Sequence, residues 1–308
     1  MKKRIKQCLQ FYRPGDLPPI IVFASPRGGS TWVTELIASQ PGLWPFSEPL
    51  NVRSKWVQQQ LGIYTHAELY DEASLPKVEQ YYNRLLAGGF PELKLIPGKA
   101  FYKLRTNRIV VKENQGLLNE IPWFEDTFGV QVVHLLRHPI PVALSREEFP
   151  LLKGFARCGL RDRFTATQLQ FADRIIAEGK HLQCGVLAWC LHHVPALEDP
   201  RDSWLTVTYE ETVLQPDRVI DQLVDTLGLH STDLAKLQST RPSRVIGKSN
   251  LQTQELLASG ASRELLVQKW KKHVSDAEIA DVQEILDVFA VELYAANQFL
   301  PSTLEVQL

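Results

Sequence analysis

PPIIVFASPRGGSTWVTELIAS, residues 18–39, changes character twice within 22 positions. Residues 20–24 are a continuous apolar run rich in β-branched side chains and too short for a helix. That pattern predicts a strand buried on both faces. Ser25-Pro26-Arg27-Gly28-Gly29 breaks the run. From Ser30 the period becomes helical, with Trp32, Val33, Leu36 and Ile37 recurring until Gln40-Pro41-Gly42 stops them. Strand, glycine turn and helix in this order aim several backbone N–H groups and the positive end of a helix at one point, which suits phosphate or a similar oxyanion.

The nucleotide loop GxxxxGK[ST] places a Lys against the β- and γ-phosphates. Here that Lys is absent, GxGxxG is absent, and Arg27 precedes the glycines. A bare Gly-Gly also serves as a tight βα turn without a ligand. Arg27, however, adds a fixed charge with planar donors suited to oxyanions, and the hydroxyls of Ser30 and Thr31 follow at the helix start. The run Arg27-Gly28-Gly29-Ser30-Thr31-Trp32 resembles the first signature of the sulfotransferases that use 3′-phosphoadenosine-5′-phosphosulfate (PAPS): a basic residue, a small residue, Gly, two hydroxyl residues and often Trp. The resemblance is to soluble members of bacterial type. It implies that these six residues bind PAPS as sulfuryl donor, with 3′,5′-adenosine bisphosphate (PAP) as product and no metal.

At 308 residues the chain can bury a sizeable core. A hydrophobic content of 44% and a charged content of 22% match a globular protein. The net charge of −1 argues against a general nucleic-acid partner. The basic start MKKRIKQCLQFY lacks the apolar core of a signal peptide, and no run approaches the ~18 apolar residues of a membrane span. The expectation is a cytoplasmic protein. Cys8, Cys158, Cys184 and Cys190 form no CxxC pair and are expected to be reduced packing residues. Cys190 with His192 and His193 lacks a second ligand pair for zinc.

Residues 1–17 read as a basic arm. Residues 43–51 read as an extended or turning segment held by Pro45 and Pro49. Residues 52–100, with Tyr64, His66, Tyr70, Tyr81 and Tyr82, suit either an acceptor-binding insert or a helical cover. Further strands are expected at 108–112, 130–136 and 204–209. Helices are expected at 117–128, from Pro141, at 166–197 and 216–227, and after the capping box Ser275-x-x-Glu278. Residues 149–163 read as a loop. Strands alternating with helices imply one α/β domain in three layers, a parallel sheet between helices.

Ligands of open α/β sheets sit beyond the carboxyl ends of the strands, and the glycine turn, Lys112, Arg137 and Tyr209 all fall there. Arg137 and Ser145, eight residues apart, can share one phosphate. They look like the second sulfotransferase signature, which implies contact with the 3′-phosphate. Tyr209 resembles the family's strand-end tyrosine beside the adenine, although a core tyrosine fits as well. Arg263 and Trp270 resemble a C-terminal segment that touches the 3′-phosphate, but Glu264 and Leu265 stand where the family has Lys-Gly. Lys248 competes with Arg263 for that role.

Sulfuryl transfer is mostly positioning and charge stabilisation, with a base for the acceptor hydroxyl. Cytosolic relatives place a His two residues after the strand-end Lys; here that position is Asn114. Other branches use a Glu after the first helix, which implies Glu48 as base; a structural carboxylate paired with a basic residue is the alternative. Lys112 and Arg27 would neutralise charge on the bridging oxygen. Glu113 and His134 are outlying candidates. The acceptor would be the hydroxyl of a small alcohol, sugar or lipid. A small-molecule P-loop kinase and a non-catalytic nucleotide-binding protein are the competing readings.

Overall fold

The computed structural model describes residues 11–90, 103–230 and 263–305; Cys8 and Lys248 lie outside them. The central element is strand β2, Ile20–Ala24, all five residues of which are buried. The strands are β1 (Phe11–Tyr12), β2, β3 (Leu43–Ser47), β4 (Arg105–Thr106), β5 (Arg108–Glu113), β6 (Gln131–Leu136) and β7 (Leu205–Thr208). β3, β5, β2, β6 and β7 form a five-stranded sheet in that order, and β1 pairs with β4 at one side. Every pairing is parallel.

Side chains alternate along β2, which explains why the run is apolar throughout. Ile21 and Phe23 enter one core with Phe46, Val111 and Trp189. Ile20, Val22 and Ala24 enter the other with Val33, Ile37, Val133 and Leu223. The second core is covered by α1 (Ser30–Ala38), with Val33 and Ile37, and by a helix at Pro216–Leu227, with Val219 and Leu223. The first is covered by α2 (Lys55–Leu61), α3 (Leu75–Leu86), α4 (Ile121–Phe128), α5 (Pro139–Leu144), α6 (Pro150–Gly154), α7 (Ala166–Glu178) and α8 (His181–Glu198). The remaining helices are α9 (Tyr209–Leu214), α10 (the Pro216–Leu227 helix), α11 (Arg263–Gln268), α12 (Asp276–Val288) and α13 (Ser302–Glu305).

The α/β class and parallel sheet are as the sequence implies, with four local corrections. Residues 43–47 are a strand: Pro45 is tolerated because β3 lies at the sheet edge. Residues 150–163 are short helical turns rather than a loop. The expected long helix is two, divided at Gly179-Lys180. Tyr209 opens α9, because Thr208 and Glu211 form a capping box there.

Opposite the glycine turn, Arg108 ties the sheet together. Its Nε donates to Pro18 O at 2.6 Å, one Nη to Leu227 O at 2.7 Å, and the other Nη to Gln131 Oε1. Removing the guanidinium leaves three acceptors short of a donor. Arg108→Met is expected to lower unfolding free energy by about 2–4 kcal/mol in urea titration. A loss under ~0.5 kcal/mol would show that the three bonds do not hold the sheet's lower edge.

Candidate active site

Because β2 is flanked by β5 and β6, the chain segments leaving β2, β3, β5, β6 and β7 open onto one end of the sheet. After Ala24 the chain turns sharply: Gly28 N–H donates to Ser25 O at 2.9 Å, and Trp32 N–H to Gly29 O at 3.0 Å. Gly29, at φ +93°, is the N-cap of α1, and no side chain caps the helix. The first amides of α1 are thus left for an external acceptor. A Cβ on Gly29 would stand 2.6 Å from the Tyr209 ring, so glycine is required by both backbone and space. Arg27 also lies in the left-handed region, at φ +72°, an uncommon conformation for a residue with a side chain.

Arg137 closes on this turn from the end of β6. One Nη donates to Arg27 O at 2.7 Å, and the guanidinium lies 4.1 Å from the Tyr209 ring centroid. Its Nε is buried without a hydrogen-bond partner among the described residues, a donor still open to an anion. Trp189 Nε1 donates to Arg137 O at 3.0 Å and fixes the backbone there. Buried Glu210 joins the ends of β6 and β7. It accepts from His138 N–H at 3.2 Å and from the Tyr294 hydroxyl at 2.9 Å.

The C-terminal segment lies against the same place. Trp270 stacks on His138 with centroids 4.6 Å apart, and α11, which begins at Arg263, packs on α9. The Arg263 side chain itself is exposed. Lys269, just before Trp270, lies in the same segment. Burial first, then the charges of Arg137, Lys272 and Arg27, hold its ammonium below the usual lysine value. Lys269 therefore feels the charges of both Arg27 and Arg137, which lie far from it in the sequence. Ser145 is not hydrogen-bonded to Arg137; its hydroxyl donates to Val142 O at 2.9 Å. Ser30 is buried, and Trp32 packs against the core beneath α1.

On the other flank, β3 and β5 end together. Glu48 N–H donates to Lys112 O at 2.7 Å, and Lys112 Nζ donates to Glu48 Oε1 at 2.7 Å. Lys112 is 6% exposed. Glu48 Oε2 accepts long hydrogen bonds from Asn51 at 3.3 Å and Gln115 at 3.5 Å. Glu48, at φ +57°, is left-handed like Arg27. Backbone strain of this kind concentrates where function over-determines geometry.

Two buried groups support these flanks. Glu113 accepts from Gln115 N–H at 2.8 Å, Leu50 N–H at 3.2 Å and the Tyr82 hydroxyl at 3.1 Å. Burial outweighs those donors and raises its carboxyl to about 7. Ser25 Oγ lies 2.7 Å from His193 Nε2, and His193 Nδ1 lies 3.0 Å from His134 Nε2. Sequence order hides this chain, since Ser25 and His193 are 168 residues apart. The thiols of Cys158, Cys184 and Cys190 are free. Among the described residues no helix is long and apolar enough to cross a membrane.

A carboxyl raised from 4.5 to about 7 retains its proton in the folded state after the unfolded chain has lost it. The stability it contributes is complete below about pH 4.5 and is lost as pH rises through about 7. Glu113→Gln is therefore expected to flatten the fall in unfolding free energy between pH 5 and 8, read by denaturant titration at each pH. An unchanged slope would remove Glu113 as its source.

A family model described as "Sulfotransferase family" matches residues 18–233. No curated protein matches the chain. Among solved structures, the sulfotransferase domain from the curacin biosynthetic pathway is 18% identical with a TM-score of 0.46, over 92% of this chain and 100% of that one. The sulfotransferase domain from the Synechococcus PCC 7002 olefin synthase is 18% identical with a TM-score of 0.47, over 92% and 98% of the two chains. Mouse sulfotransferase SULT7A1, complexed with PAP, is 17% identical with a TM-score of 0.39, over 77% and 69%.

Proposed function

The chain belongs to the sulfotransferase family, and from that premise we propose that it transfers a sulfuryl group from PAPS to the hydroxyl of a small-molecule, carbohydrate or lipid acceptor. The observation that carries this reading is the meeting of Arg137 with the Arg27–Gly29 turn over the Tyr209 ring. One group of donors then faces two phosphates and one aromatic surface faces a base.

In this account the amides of Gly29 to Thr31 and the Arg27 side chain receive the 5′ end of the donor. Trp32 secures the first turn of the helix behind them. Arg137 takes the 3′-phosphate through its open Nε, joined by Lys269, with Ser145 and Arg263 at the margin. Ser145 reaches that phosphate only by giving up its bond to Val142 O. Tyr209 borders the adenine. The donor supplies an activated sulfuryl group on a phosphate leaving group. Glu48 removes the acceptor proton as the acceptor oxygen forms its bond to sulfur. The bond from sulfur to the bridging oxygen breaks, and PAP departs with that oxygen's charge facing Lys112 and Arg27. The 2.7 Å bond from Lys112 to Glu48 Oε1 orients the base and leaves Oε2 as the proton acceptor. The segment 52–100, of which 91–100 lie outside the described residues, would supply the acceptor insert of a single domain through its described part, since His66 lines a cavity beside Pro26.

In a thermal-shift assay, PAP is expected to raise Tm more than ATP with Mg²⁺; stabilisation by ATP with Mg²⁺ alone would favour a kinase. With radiolabelled PAPS, Glu48→Gln is expected to lower kcat by ~10²–10⁴-fold while the PAP shift persists. Equal turnover by variant and parent would remove Glu48 as base.

A further inference from the structure

A small cavity lies beside the turn, between Pro26 and the segment Asn114-Gln115, with His66, Arg146 and His192 among its other lining residues. Gln115, which donates to Glu48 Oε2, links it to the proposed base. A group seated here is therefore next to the atoms that would take the acceptor's proton.

Three ring nitrogens in the wall of this cavity lack partners among the described residues. His192 is 4% exposed, yet neither ring nitrogen has a hydrogen-bond partner among the described residues. His66 Nδ1 is buried and unpartnered as well. Arg146 forms no ion pair among the described residues; its guanidinium rests 5.2 Å from the Phe149 ring centroid. The nearby Arg53 is itself a cation, paired with Glu148 at 3.5 Å. Burial lowers Arg146 to about 10, so it stays charged at neutral pH. Burial also pulls both imidazoles below the usual histidine value, with Arg53 and Arg146 adding to the shift at His66, and Arg146 and His66 at His192. Each is then neutral and offers one N–H. Asn114 spends its carbonyl oxygen on Gln115 at 3.2 Å, which leaves its amide hydrogens as donors.

One unpaired guanidinium ringed by N–H donors suits an anion with two coplanar oxygens, because the guanidinium fork matches a carboxylate edge to edge. Unmet groups buried this deeply are costly unless a ligand satisfies them. We propose that this cavity seats a carboxylate of the acceptor, so that the enzyme sulfates the hydroxyl of a hydroxycarboxylic acid. The substrate assignment rests on the sulfuryl-transfer reading above; the carboxylate site does not.

The test is calorimetric binding, with and without saturating PAP, of aliphatic and aromatic hydroxycarboxylates of graded length and of their primary amides. At least one acid is expected to bind at least tenfold more tightly than its amide. Arg146→Gln should erase that gap with PAP affinity unchanged, and Arg146→Lys should retain most of it. Equal binding of acids and amides, binding of neither, or a gap that survives Arg146→Gln would overturn the proposal. Should an acid show the gap while PAP fails to bind, the donor assignment falls and the carboxylate site stands.

Discussion

The site depends on a five-residue turn that three side chains hold in a conformation the backbone resists. Arg27 and Gly29 are both left-handed, and a turn so placed opens unless something fastens it. Ser25 fastens it from below, through its carbonyl to Gly28 and its hydroxyl to His193. Arg137 fastens it from the side at Arg27 O, and the Tyr209 ring fills the space that a Cβ on Gly29 would need. The uncapped amides at the head of α1 are consequently held at a fixed place, and in this account they need no rearrangement when an anion arrives.

The second flank is built on a different principle. Lys112 and Glu48 are joined through both backbone and side chain, so β3 and β5 present the pair as one unit. Beneath it Glu113 collects three donors and no cation. It accepts from the amides of Leu50, two residues beyond Glu48, and of Gln115, whose side chain donates to Glu48.

Much of this was legible in residues 18–39, because a doubly buried strand, a glycine turn and an amphipathic helix each have a local signature. β5, β6, α10 and the Ser275 cap were legible for the same reason. β3 was not: Pro45 argues against a strand until the strand is known to be an edge. Tyr209 was found at the right place but in the wrong element, since the Thr208–Glu211 capping box outweighs the β-branched run before it. Longer-range features leave no local trace. The approach of Lys269 to Arg137, the Ser25–His193–His134 chain and the unpartnered His192 each join segments far apart in sequence. The pairing of Arg137 with Ser145 rests on their spacing and on the signature they resemble; in the fold Arg137 Nη bonds to the glycine loop and the Ser145 hydroxyl to its own helix.

The central claim is that the glycine turn and Arg137 grip two ends of one nucleotide. Its most direct measurement is a thermodynamic cycle: dissociation constants of PAP and of adenosine 5′-phosphate for the wild type and for Arg137→Gln. The account predicts that PAP binds the wild type at least tenfold more tightly than the monophosphate, and that the variant loses most of that preference. A preference that survives intact in Arg137→Gln would contradict it.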